Sequence, residues 1–144
     1  MAKPSPNDRK YTREHEWAKD EGGETITMGI TDYAQEMLTD VVYVELPKVG
    51  RKVRQAEPFA VVESVKSVSD IFAPVSGEVV EVNQALEAAP EIVNKDAFGE
   101  GWIARIRMSH PAELDGLMTA EQYEGHIKVA PRWKGRGKRP GAEG

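Results

Sequence analysis

Apolar and polar positions change period several times along this chain, and the changes mark its elements. "ETITMGI" (24–30) carries β-branched residues in alternation, the period of a half-buried strand. In "TDYAQEML" (31–38) the period becomes helical, with Ala34, Met37 and Leu38 on one face. Thr31 or Asp32 is placed to cap that helix, and Asp32 with Gln35 has capping-box spacing. "VVYVEL" (41–46) returns to a strand and stops at the Pro/Gly turn "PKVG". Two short apolar runs, "FAVVES" (59–64) and "DIFAPV" (70–75), flank "VKSV", which predicts a hairpin with Lys66 at or near its tip. "SGEVVEV" (76–82) and "GWIARIRM" (101–108) alternate as strands; in the second, Trp102, Ala104, Ile106 and Met108 face one way and Arg105 and Arg107 the other. Between them "NQALEAAPEIVN" is irregular or briefly helical, because Pro90 interrupts it.

Two short helices close the pattern. "SHPAELDGLM" offers Ser109 as a cap and an early proline, and "TAEQYEGHI" has a Thr119…Gln122 capping box. The expected fold class is mostly β with short helices, a small sandwich or flattened barrel. A faint echo between "VVYVELPKVGRKV" and "GEVVEVNQALEAAPEIV" suggests two similar halves around the hairpin. Neither a strand–helix–strand run nor a Gly-rich phosphate loop occurs, which argues against a nucleotide-binding sheet.

Composition narrows the function. A chain of 144 residues, 40% hydrophobic and 30% charged, is the size and make-up of one ordinary globular domain. No apolar run approaches the roughly 20 residues that cross a bilayer, and the N-terminus reads as neither a secretion signal nor a transit peptide. A cytoplasmic protein without a membrane partner is expected. Residues 1–127 hold 13 Lys+Arg and 23 Asp+Glu, a net −10, which makes nucleic acid a poor partner for the body. Residues 128–144 hold six basic residues and one acid, and read as a Gly/Pro-rich disordered tail. There are no cysteines, so disulfides, thiolate metal sites and cysteine nucleophiles are excluded. His15, His110 and His126 are far apart without ligand spacing, and a packed or surface role fits His15 better than metal ligation.

Lys66 is the residue the pattern singles out. It lies in "VESVKSVSDI" among valines and serines, with Glu63 and Asp70 as the nearest acids. Three roles compete: a solvated surface lysine, a Ser–Lys catalytic pair, and a modification site. The pair would need a buried, neutral lysine far below the usual pKa of about 10.4, and a hairpin tip beside acids opposes that. Acylation on a rigid turn removes the charge and makes valine a tolerable neighbour.

At this point the chain resembles a known family. "VESVKSVSDIFAPVSGEVVEVN" (62–83) is similar to the lipoylation region of glycine cleavage system H proteins. "YTREHEW", "GITDYAQEMLTDVVYVELPKVG", "ALEAAPEIVN", "GEGWIARIRM" and "PAELDGLMTAEQYEGHI" follow the family in order, covering about residues 10–127. The resemblance implies a lipoyl/biotinyl-type flattened β-barrel sandwich over 10–127, a loose segment 1–9, and a tail 128–144 outside the family pattern. It implies lipoic acid in amide linkage at Lys66. Biotin carriers set their lysine between methionines, and 2-oxoacid dehydrogenase lipoyl domains have Asp and Ala around it; Val65 and Ser67 stand here. Glu63 and Gly77 match positions of recognition by lipoate-attaching enzymes, although a strand-end acid and a turn glycine would look the same.

H proteins are carriers, not enzymes. The resemblance implies a monomer that serves a pyridoxal-phosphate glycine decarboxylase, an aminomethyltransferase and a dihydrolipoamide dehydrogenase. Its arm takes the aminomethyl group of glycine into a cleft, where Glu16, Asp70 and Glu14 match the polar positions. Glu14 stands where the family often has serine. Carboxylates suit a cationic amine. Two other roles remain open: a lipoate relay to other lipoyl domains through the same Lys66, and a binding module whose basic tail contacts nucleic acid or an acidic partner.

Overall fold

The computed structural model describes residues 3–129 and 136–137. Their strands form two antiparallel sheets. The larger runs β1 (Lys10–Tyr11), β2 (Glu16–Asp20), β3 (Thr25–Ile30), then β9 (Ala104–Met108), β8 (Gly77–Val82) and β5 (Lys52–Val53). The smaller has β4 (Val41–Glu45) at one edge, then β6 (Pro58–Ser64), β7 (Ser67–Phe72) and β10 (Arg136–Gly137). Among the described residues the sheets stay separate, so the architecture is a flattened sandwich and not a closed barrel. Alternation explains the core: Ile26, Met28, Ile71, Val62, Val79 and Ile106 are fully or almost fully buried between the sheets.

Several predicted elements form as the pattern indicates. α1 (Asp32–Leu38) buries Ala34 and Leu38 and is capped by Thr31, whose Oγ1 accepts from the Ala34 N–H. Asp32 is not the cap; it accepts instead from the Gln35 side chain, 3.1 Å away. Pro90 separates α2 (Ala85–Ala88) from α3 (Ile92–Lys95). α4 (Ala112–Asp115) starts after Pro111, and Ser109 does not cap it: its hydroxyl meets His110 Nδ1. α5 (Ala120–Val129) has the reciprocal Thr119–Gln122 bonds of a capping box, at 2.9 and 3.2 Å.

Other boundaries moved. The second hairpin strand starts at Ser67, not at 70, so the bend is reduced to Val65 and Lys66. The last long strand starts at Ala104 and not at 101. The echo of two halves departs early, because β4 and β8 lie in different sheets and β8 leads into helices. Residues 3–9 are not loose. The Lys3 N–H donates to Asp32, the Ser5 N–H and hydroxyl donate to Glu124 on α5, and Tyr11 donates its hydroxyl proton to the Pro6 carbonyl. At the other end α5 continues through Lys128 and Val129, and Arg136–Gly137 pair with Val68 and Ser67; the rest of the expected disordered tail lies outside the described residues.

Candidate functional site

Lys66 is exposed at the β6–β7 bend, beside a Val65 that is also exposed. The bend is built by Ser64. Its buried hydroxyl accepts from the N–H groups of Lys66 (3.3 Å) and Ser67 (3.0 Å) and donates to the Ser67 carbonyl. That oxygen is spent on the main chain of the turn. Ser64 is therefore a turn-builder, which removes the reason to pair it with Lys66 as a nucleophile.

The bend is also fastened from outside. The Val65 N–H donates to the Asp40 carbonyl at 3.0 Å, and the next residue, Val41, donates to Asn94 Oδ1 at 2.8 Å. Asn94 in turn donates to the Thr39 carbonyl and to Gln35 Oε1. A surface lysine thus stands on a hairpin whose base is tied to α1 and α3. The sequence offered no signal for Asn94, since an asparagine near a helix end has many uses.

A cleft of about 460 Å³ opens where β7 ends, with Tyr11, Thr12, Glu14, Glu16, Phe72 and Met118 in its walls. Two of the three predicted carboxylates, Glu16 and Glu14, line it. Asp70 is two residues before Phe72 on β7, and strand alternation gives the two residues one face. The hairpin strand that starts beside Lys66 therefore leads to the cleft.

Glu16 is the most unusual group in it. Its residue is 2% exposed, Thr12 Oγ1 donates to one carboxyl oxygen at 2.5 Å, and the Phe72 N–H donates to the other at 3.1 Å. Neither partner is a cation. Burial pushes the Glu16 pKa up to about 7, with the Glu14 charge adding to the rise and the two hydrogen bonds opposing it. Thr12 also accepts from the N–H groups of Glu14 and Glu16, so one hydroxyl organises the whole carboxylate turn. Thr12 and Phe72 were missed by sequence reasoning: one acts through a short polar side chain, the other through its backbone.

The remaining predicted residues fall elsewhere. Glu63 sits on β6 opposite Val68, close in register to the lysine. Gly77 opens β8 in the other sheet, where a Cβ would fall 2.0 Å from the Arg107 carbonyl oxygen. Packing alone therefore requires that glycine, and the structure does not bring it into the lysine hairpin. His15 is buried, with Nδ1 2.8 Å from the Tyr123 hydroxyl, a packed histidine.

Comparison with known proteins bears on the whole arrangement. Residues 9–130 match the sequence model of the family described as Glycine cleavage H-protein. A glycine cleavage system H protein of Thermus thermophilus is 60% identical over 119 residues, spanning 83% of this chain and 92% of that one. Its counterpart in Symbiobacterium thermophilum is 55% identical over 123 residues, with 85% and 95% covered. The crystal structure of a glycine cleavage system H protein from Mycobacterium marinum superposes with a TM-score of 0.78 at 38% identity, covering 86% of this chain and 99% of that chain.

Proposed function

The chain belongs to the glycine cleavage H-protein family, a carrier and not an enzyme, and from that premise we propose that Lys66 is its lipoyl attachment site. The observation that carries this reading is an exposed lysine on a braced two-residue bend, one strand away from a cleft holding a buried carboxyl without a cation. Lipoic acid in amide linkage to Lys66 supplies a disulfide that takes up the aminomethyl group of glycine and is later regenerated by oxidation.

The chain's own residues do the rest. Ser64 and Asp40 hold the bend so that the lysine amine is presented to a lipoate-attaching enzyme, with Glu63 as the nearby acid it reads. Gly77 matches the other recognition position, and its contribution is to let β8 and β9 pack closely. Glu16, with Glu14 and Asp70, holds the carried amine as an ammonium and shelters it from water. Entry of a cation favours the ionised form of Glu16, so its proton leaves or passes to the amine as the pair forms. Thr12 and the Phe72 N–H keep the carboxyl aimed throughout.

The partners that follow are glycine decarboxylase, aminomethyltransferase and dihydrolipoamide dehydrogenase, each meeting the exposed hairpin in turn. No helix among the described residues is long and apolar enough to cross a membrane, which agrees with work alongside such enzymes in the cytoplasm. The test is lipoylated protein loaded with glycine and decarboxylase, then isolated. Hydrolysis of the carried group to ammonia, formaldehyde and dithiol should be about tenfold faster in Glu16→Gln. Equal rates in the two proteins would remove Glu16 from this role.

A further inference from the structure

Tyr123 lies on α5, a helix the carrier scheme leaves without a task. Its ring is fully buried and stacks on Tyr11 with centroids 4.9 Å apart. Its hydroxyl lies 2.8 Å from His15 Nδ1 and 2.8 Å from Thr31 Oγ1. Three separate elements therefore meet on one oxygen: α5, the cap of α1, and the turn that carries the cleft carboxyls.

The bonding is self-consistent in either state of the histidine. With Nδ1 unprotonated, Tyr123 donates to the ring and Thr31 donates to Tyr123; a doubly protonated ring reverses both bonds. No bond is lost, so the joint survives titration of His15.

His15 is the residue between Glu14 and Glu16, and its φ is +76°. A left-handed backbone at a bulky residue is costly and persists where its surroundings over-determine it. Those surroundings can be named. The His15 carbonyl accepts from the Thr31 N–H at 3.0 Å, and its N–H donates to the Thr12 carbonyl. Its ring packs on Tyr33 and lies 5.9 Å from the ring of His126, whose Nε2–H donates to the Arg13 carbonyl. Through Tyr123 and His126, α5 grips the carboxylate turn at two points. Glu14 and Arg13, from the turn itself, are the charged groups on its open side.

We propose that Tyr123 is a positioning residue for the cleft: its hydroxyl clamps the His15 turn against α1 and so fixes where Glu16 points. This deepens the amine-holding reading above and rests on it. Tyr123→Phe keeps the ring and its stack and deletes only the oxygen.

In unlipoylated full-length protein, NMR with labelled glutamate follows the Glu16 carboxyl through pH. Tyr123→Phe should lower its midpoint by about one unit, because a loosened turn admits water to a group raised chiefly by burial. Ser5→Ala removes a bond to Glu124 on the same helix without touching the clamp, and should leave the midpoint alone. If Tyr123→Phe does not fold, His15→Leu deletes the other end of the same bond and should give the same displacement. An unmoved midpoint in the clamp variants, or an equal shift in Ser5→Ala, overturns the proposal. A second reading separates it from its premise: loaded, lipoylated Tyr123→Phe should release ammonia about tenfold faster. A displaced midpoint with unchanged release keeps the clamp and overturns the amine-holding role.

Discussion

At Glu16 the fold keeps a carboxyl out of water with two neutral donors and no cation. That choice has a consequence for stability with a definite sign. The folded-state pKa is raised from 4.5 to about 7, so between those values the native protein binds more protons than the unfolded chain. Stability from this group is fully present below about pH 4.5 and is lost as pH rises through about 7, a loss on the order of 3 kcal/mol. Glu16→Gln should abolish that slope while the amide oxygen still accepts from Phe72. Urea midpoints at pH 5 and pH 7.5 should differ in the parent protein and agree in the variant; parallel behaviour would place the titration elsewhere. Single residues were unevenly legible in the sequence. Lys66 stood out because a lone cation between valines has few structural uses, and Glu16 and Glu14 because a family resemblance named them. Thr12, Asn94 and Tyr123 were silent, since each acts through one hydroxyl or amide whose partner is distant along the chain.

Elements were read with more success where the period was long. β3, β8 and α1 came from alternation or a helical face that tertiary packing had no reason to override. Two-residue strands such as β1 and β5 carry no period and exist only because a neighbour offers a ladder. The bend at Lys66 proved tighter than its composition suggested, because Ser64 folds the chain back one residue earlier than a turn built from the backbone alone. Gly77 belongs to this scale. Its Cβ would strike the backbone of β9, which cannot move aside without breaking the pairing of Gly77 with Met108. Gly77→Ala should cost on the order of 1–3 kcal/mol and be visible as a lower melting temperature before any lipoate is involved. A variant as stable as the parent yet poorly lipoylated would instead make Gly77 a recognition residue alone.

On the scale of the molecule, the two sheets form a stiff body from which one hairpin carries its lysine into solvent, while a cleft for small cations lies at the far end of the same strand. A carrier visiting several enzymes needs this separation: an accessible tip on a braced base, and shelter elsewhere. The acidic body and basic C-terminal stretch were plain from the sequence, but the pairing of Arg136–Gly137 with the edge of β7 was not, because a two-residue strand in a Gly-rich run has no pattern. The central claim is that Lys66 bears the lipoyl group, and intact mass followed by peptide mapping of protein purified from its native host tests it most directly. The account predicts an increase of one lipoyl group, located on the peptide containing Lys66 and absent from Lys66→Ala. Unmodified Lys66, in a host whose other lipoyl proteins are modified, would contradict it.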